Sequence, residues 1–251
     1  MCRHLAYLGP AVPLGEILVR PEHSLYRQSW APRRQRHGTV NADGFGVGWY
    51  APEDPVPARY RRAGPVWGDG SFADLTRVVR SGALLAAVRS ATVADPDGEA
   101  AAAPFAMGTY LFSHNGAVLG WPRSVAPLAG RLPPADLLDL AARCDSALVW
   151  ALVQRGLRDG YPAPEALSGA VADVAAAAPG SRLNLLLTDG ASISATAWGD
   201  TLWYRLDPAA GTVVASEPYD DDPLWTEVPD HTLLTATRTD VLLTPLKEPA
   251  P

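Results

Sequence analysis

Only two cysteines, Cys2 and Cys144, occur in 251 residues. So few thiols give no disulfide framework, and both are expected to be free. Metal-ligand spacing is missing too. The five histidines, His4, His23, His37, His114 and His231, form no pattern that would hold a zinc ion. Neither a metal nor a cofactor is expected. No apolar run approaches the roughly 20 residues that span a bilayer. The opening MCRHLAYLG is short and soon broken by Gly9, Pro10 and Pro13, so it does not read as a secretory signal. A cytoplasmic protein without a membrane partner is expected. Positive charge is not in excess: the formal net charge is −6, which leaves no footprint for nucleic acid. Internal repeats and a phosphate-cradling Gly-rich loop are also absent. The class left standing is a small-molecule enzyme, and nothing in the sequence fixes an oligomeric state.

What is present is an ordinary globular composition, 47% hydrophobic and 19% charged, long enough for one large core. Short segments rich in β-branched and aromatic residues predict strands over 2–8, 45–50, 84–89 and 109–113. A second group is predicted over 183–188, 193–198, 201–206, 212–215, 231–236 and 241–243, separated by turns such as Asp189-Gly190 and Gly199-Asp200. Helices are predicted between the groups. One starts at a capping Ser71 and presents Phe72, Leu75, Val78 and Val79. Others are expected over 136–143, 145–155 with Asp145 as cap, and 164–177. Strands, then helices, then strands imply an α+β fold with two antiparallel sheets.

Four places carry chemistry. Cys2 becomes the first residue if Met1 is removed, and its thiol then stands beside a free α-amine whose ordinary pKa near 8 suits a base. The alternative is an inert buried thiol on a first strand. Ser113-His114-Asn115-Gly116 contains an Asn-Gly pair between apolar runs, which predicts a hairpin turn. The same turn would offer the Asn115 amide and the Gly116 N–H as an oxyanion hole. Arg89 ends an apolar strand and, with Thr92, could clamp a carboxylate, or it is a solvated strand end. Asp145 caps a helix or receives a substrate ammonium. A carboxylate clamp, an ammonium acceptor, a thiol and an oxyanion hole together fit an amino acid with a side-chain acyl group, a γ-glutamyl amide.

The order Cys2, then NADGFGVGWY over 41–50, then RSAT over 89–92, then HNG over 114–116, then Asp145-Ser146 resembles the class II glutamine amidotransferase family of Ntn hydrolases. The resemblance implies a four-layer αββα sandwich filling residues 2–251 as one domain. It implies Cys2 as nucleophile, Asn115 and Gly116 as the oxyanion hole, and Arg89, Thr92, His114 and Asp145 at the substrate. The glycines of 44–48 would allow close backbone approach near the nucleophile. Ser90, Val93, Ala94 and Ala147 depart from the residues common in the family, so the pocket floor is altered. No second, ammonia-consuming domain is visible. Together with ASEPYDDDPLW over 215–225, NADGFGVGWY and RSAT resemble the stand-alone members that take glutamate off γ-glutamyl-hercynylcysteine sulfoxide in ergothioneine biosynthesis. Two alternatives stay open: a glutaminase subunit that delivers ammonia to a separate synthase, and a non-catalytic binding module. Residues 219–225, with aromatics and carboxylates, either bind a trimethylammonium group or form a solvated acidic loop. Arg33, Arg34, Arg36 and His37 form either a solvated loop or a rim that guides an anion.

Overall fold

The computed structural model describes residues 2–91 and 97–247. Strands and helices are numbered in chain order. One seven-stranded sheet contains β1 (Arg3–Pro13), β2 (Phe45–Ala51), β3 (Asp54–Arg62), β4 (Arg80–Val88), β9 (Trp203–Asp207), β10 (Gly211–Ala215) and β11 (Trp225–Glu227). Its order is β11-β9-β10-β1-β4-β2-β3. A six-stranded sheet holds β5 (Phe105–Met107), β6 (Tyr110–Ala117), β7 (Arg182–Thr188), β8 (Ile193–Ala197), β12 (Thr232–Ala236) and β13 (Val241–Pro245), in the order β13-β12-β8-β7-β6-β5. Every pairing among the described strands is antiparallel. Helices α1 (Leu14–Leu18), α2 (Leu25–Gln28) and α3 (Gly70–Val78) follow strands of the first sheet. Helices α4 (Ala126–Ala129), α5 (Pro134–Leu138), α6 (Asp145–Arg158) and α7 (Ala163–Ala177) lie between β6 and β7 in sequence.

Three apolar clusters define four layers. Leu5, Tyr7, Val47, Leu84 and Ala86 of the first sheet pack on Leu14, Leu18, Leu25 and Phe72 of α1, α2 and α3. Ala6, Leu8, Ala83 and Leu85 pack on Leu111, Leu186, Ile193 and Ala195 of the second sheet. Phe105, Phe112, Leu185 and Leu187 pack on Leu148, Val149, Trp150, Leu167 and Val171 of α6 and α7. The period of two along a strand sends alternate residues to opposite layers, and β1 shows it: Leu5 and Tyr7 face helices, Ala6 and Leu8 face the other sheet. The expected αββα sandwich is therefore the observed one.

Glycines set how closely the layers approach. A side chain at Gly46 would collide with the Ala103 carbonyl and Pro104, and one at Gly48 with Leu111. Strand β2 can therefore lie flat against the segment before β5 and against β6.

Some local expectations need correction. Residues 115 and 116 do not turn. They continue β6, paired with Asn184 and Leu183 of β7, so ladder bonds override the hairpin preference of Asn-Gly. The helix expected over 136–143 is confined to α5. Arg143 N–H, which such a helix would have used internally, donates to Asp97 at 2.6 Å, and Leu138 is 90% exposed with no core to face. Ser71 is not the cap of α3. Asp69 is, its Oδ1 accepting from Ser71 N at 2.9 Å and Phe72 N at 3.2 Å. No local signal marks β3, an edge strand with Pro55 and Pro57, or the short β5 and β11.

His4 lies wholly buried between the sheets, and desolvation, aided by the nearby His114 and Arg3, lowers its pKa from 6.5 to about 3. The unfolded chain then takes up a proton below 6.5 that the folded chain refuses. Stability present above 6.5 is lost as pH falls toward about 3. In denaturant titrations His4→Gln should show a shallower acid limb than the parent; equal slopes would contradict this. Gly46→Ala should lower unfolding free energy by about 1–3 kcal/mol through overpacking, read from the same titrations.

Candidate active site

Cys2 stands immediately before β1, the central strand of the seven-stranded sheet, and is a half-buried free thiol. Burial pushes this thiol up. The positive chain terminus, a backbone hydrogen bond from Ser90 and the Arg89 guanidinium pull it down, and the Asp145 carboxylate raises it. Three sequence-distant places, 2, 89–90 and 145, thus converge on one sulfur.

Arg89 follows β4, whose Val88 pairs with Arg3, so β-register places it beside Cys2. Asp43 fixes this segment. Its N–H donates to Arg89 O at 2.9 Å, its carboxylate accepts from Ala91 N at 2.7 Å, and its carbonyl accepts from Arg89 Nη1 at 3.3 Å. Asp43 is the Asp of the NADG segment, and its staple role had no distinct sequence signal. Thr92, with Val93 and Ala94, lies outside the described residues.

Asn115 is fully buried and shares the inter-sheet face of β6 with Leu111 and Ser113. Its Nδ2 donates to Ser216 Oγ at 3.5 Å, while its Oδ1 is buried without a partner. Ser216 also bonds β1: its Oγ accepts from His4 N at 3.1 Å and its N–H donates to His4 O at 3.0 Å. His4 Nδ1 faces Ser113 Oγ at 3.2 Å. This polar set joins the start of β1 to Asn115. Gly116 has no room for a side chain, since a Cβ would collide with the Arg182 carbonyl.

His114 lies on the opposite face of β6. Its Nε2–H donates to Arg182 O at 2.9 Å, which leaves Nδ1 against the Ser146 hydroxyl at 3.1 Å. Both ring nitrogens are thereby engaged inside the protein, one of them by the residue after Asp145. Asp145 is the first residue of α6 and not its cap. Its Oδ1 accepts from Ser146 N at 2.8 Å and its Oδ2 from Val118 N at 3.0 Å. The helix N-terminus further favours negative charge there. Ser146, Ser216 and Asp43 are supports that sequence reasoning had not singled out as site residues.

Residues 219–225 do not offer a vacant aromatic cage. Arg205 Nη2 donates to Tyr219 Oη at 2.7 Å, its Nη1 sits 3.2 Å from Asp220 and 3.3 Å from Asp222, and the guanidinium lies over the Tyr219 and Trp225 rings. Asp221 pairs with Arg33 at 2.8 Å. The protein's own arginines occupy the place expected for a substrate ammonium, while Asp221, Pro223 and Leu224 are exposed over a packed Trp225, as a solvated acidic loop requires. Among the described residues, one set could gather round a metal ion, Glu22, His23 and Asp221, and it lies at the surface. None of the described helices is long and apolar enough to cross a membrane.

Similarity to known proteins agrees with this geometry. Residues 22–210 match the family model of class-II glutamine amidotransferases. The γ-glutamyl-hercynylcysteine sulfoxide hydrolase of Mycolicibacterium smegmatis is 44% identical over 98% of this chain and 100% of its own. The protein of that name from Mycobacterium tuberculosis is 45% identical over 98% and 97%. A solved class-II glutamine aminotransferase domain protein of Silicibacter pomeroyi superposes with a TM-score of 0.71 at 24% identity, covering 98% of this chain and 100% of that one. With that match over most of its length and these full-length relatives, the chain belongs to the class-II glutamine amidotransferases.

Proposed function

We propose that this protein hydrolyses the γ-glutamyl amide of γ-glutamyl-hercynylcysteine sulfoxide in the cytoplasm, with Cys2 as nucleophile once Met1 has been removed, residues 2–251 acting as one domain. The reading is supported by two relatives of that name, similar over nearly the whole chain. The observation that carries it is the convergence of Ser90, Arg89 and Asp145 on the Cys2 thiol.

Each role follows from chemistry. A thiol whose pKa burial has raised is protonated at neutral pH and needs a base. The α-amine of a processed Cys2 is the nearest such group. It takes the thiol proton, the sulfur attacks the γ-carbonyl, and the proton passes to the departing nitrogen. Water then cleaves the thioester. Turning the Asn115 amide by half a rotation puts Oδ1 on the Ser216 hydroxyl and frees Nδ2 as an oxyanion donor beside the Gly116 N–H. Arg89, with Thr92, pairs with the substrate α-carboxylate, and Asp145 with its α-ammonium. His114 acts through Ser146, holding the start of α6 in place.

Cys2→Ala should abolish turnover while a thermal-shift titration still detects γ-glutamyl ligands. Intact mass of active enzyme should show Met1 removed, and a retained methionine would overturn the mechanism. Assay of the parent enzyme on the sulfoxide conjugate and on free glutamine should give a kcat/KM higher by at least about tenfold for the conjugate. The reverse preference would make it an ammonia-delivering glutaminase. Asn115→Ala should lower kcat by about 10²–10³-fold with KM little changed.

A further inference from the structure

A buried carboxylate outside the groups assigned above joins the nucleophile strand to the basic loop over residues 31–40. Glu217 is fully buried just after β10. Its Oε1 accepts from Arg33 N at 2.9 Å and its Oε2 from Arg34 N at 2.7 Å. Arg3, next in sequence to Cys2 and 1% exposed, places its guanidinium 3.9 Å from the same carboxylate. The register explains the meeting: Leu5 pairs with Ala215, so Arg3 and Glu217 stand opposite two residues further along the same antiparallel line. A carboxylate removed from water is costly unless its oxygens are taken; here two backbone donors take them, and the Arg3 charge, not hydrogen-bonded to it, lies 3.9 Å away.

The loop is fixed at its base as well. Asn41 N–H donates to Ser29 O at 2.6 Å, and Asn41 Nδ2 donates to Gln28 O at 3.1 Å and Gln35 Oε1 at 3.0 Å. An outer tie joins Arg33 to Asp221. The tip then lies at the nucleophile. A Cβ on Gly38 would be 3.9 Å from the Ser90 hydroxyl, and the Ser90 backbone bonds the Cys2 thiol. Arg36 and His37, both exposed, flank that contact. A protein of net charge −6 thus carries basic side chains beside this contact.

We propose that Glu217, backed by Arg3, is a positioning residue that holds the 31–40 loop over Cys2, so that its basic rim selects γ-glutamyl amides whose leaving amine carries a carboxylate. The inference rests on the γ-glutamyl hydrolase reading. It adds how the far side of the scissile bond is recognised. Hercynylcysteine sulfoxide leaves through a cysteine amine with its carboxylate attached, whereas glutamine leaves as ammonia. The loop is therefore a discriminator acting on the first and nearly silent toward the second.

The test compares parent, Glu217→Gln and Arg33→Ala in two readouts. Limited trypsin digestion reports the tether directly, because the loop offers arginines at 34 and 36 in all three proteins. Cleavage there should quicken about tenfold in Glu217→Gln and less in Arg33→Ala, as local opening becomes easier. Kinetics report selection: KM for a carboxylate-bearing γ-glutamyl-cysteine conjugate should rise about tenfold with kcat changed less than about threefold, and the ratio of its kcat/KM to that for γ-glutamylmethylamide should fall accordingly. Unchanged cleavage, or an equal loss on both substrates, would overturn the proposal. Should Glu217→Gln fail to fold, Glu217→Asp decides, because it keeps the buried charge and shortens its reach to the two loop N–H groups. A parent enzyme that ignores every conjugate would refute the hydrolase reading instead, while digestion would still judge the tether.

Discussion

The antiparallel ladder that holds β1 between β10 and β4 is the constraint on which the rest depends. Its register fixes Arg3 opposite Val88 and His4 opposite Ala87 on one side, and Leu5 opposite Ala215 on the other. A thiol at the head of this strand cannot drift by one residue without turning Leu5 and Tyr7 away from the helices and Ala6 and Leu8 away from the second sheet. The apolar layers thus hold Cys2 in place.

At the end of the sandwich near Cys2 the inter-sheet layer changes character. Ala6, Leu8, Leu85 and Leu111 give way to His4, Ser113, Asn115 and Ser216, all buried. Polar groups in such a place need partners, and these largely supply them to one another across the two sheets. The exceptions are His4 Nε2 and Asn115 Oδ1. The amide orientation is what the Asn115 exception turns on: with Oδ1 toward the Ser216 hydroxyl, the unmatched atom becomes an Nδ2 donor. Two charges act on the Cys2 thiol with opposite signs: Arg89 lowers its pKa and Asp145 raises it.

Much of the sandwich was legible because period-two alternation and turn residues are local signals. The strands ending near 88 and starting at 45, 193 and 241 fall where those signals put them. The failures share a cause. Strand β3 escaped notice because Pro55 and Pro57 are tolerated only on an edge, and edge position is a property of the sheet. Asn115-Gly116 looked like a turn because its ladder partner, Asn184, lies 69 positions later. Helix α5 stopped early because Asp97, far back in the chain, took the Arg143 N–H. Which of the two readings of residues 219–225 applied depended on Arg205, which comes from another strand and fills them. In each case a long-range partner outbid a local preference.

The order of motifs, by itself, determined the family and the presence of two antiparallel sheets, since alternating hydrophobicity and fixed residue types survive in a linear string. Only the tertiary structure decided that Asn115 and His114, adjacent in sequence, face opposite layers, and that Asp43 and Ser216 support the site. It also decided that Glu217 is spent on the 31–40 loop rather than on solvent. The reason is physical: side-chain direction and hydrogen-bond partners are set by strand register and layer packing, and both are relations between residues far apart along the chain.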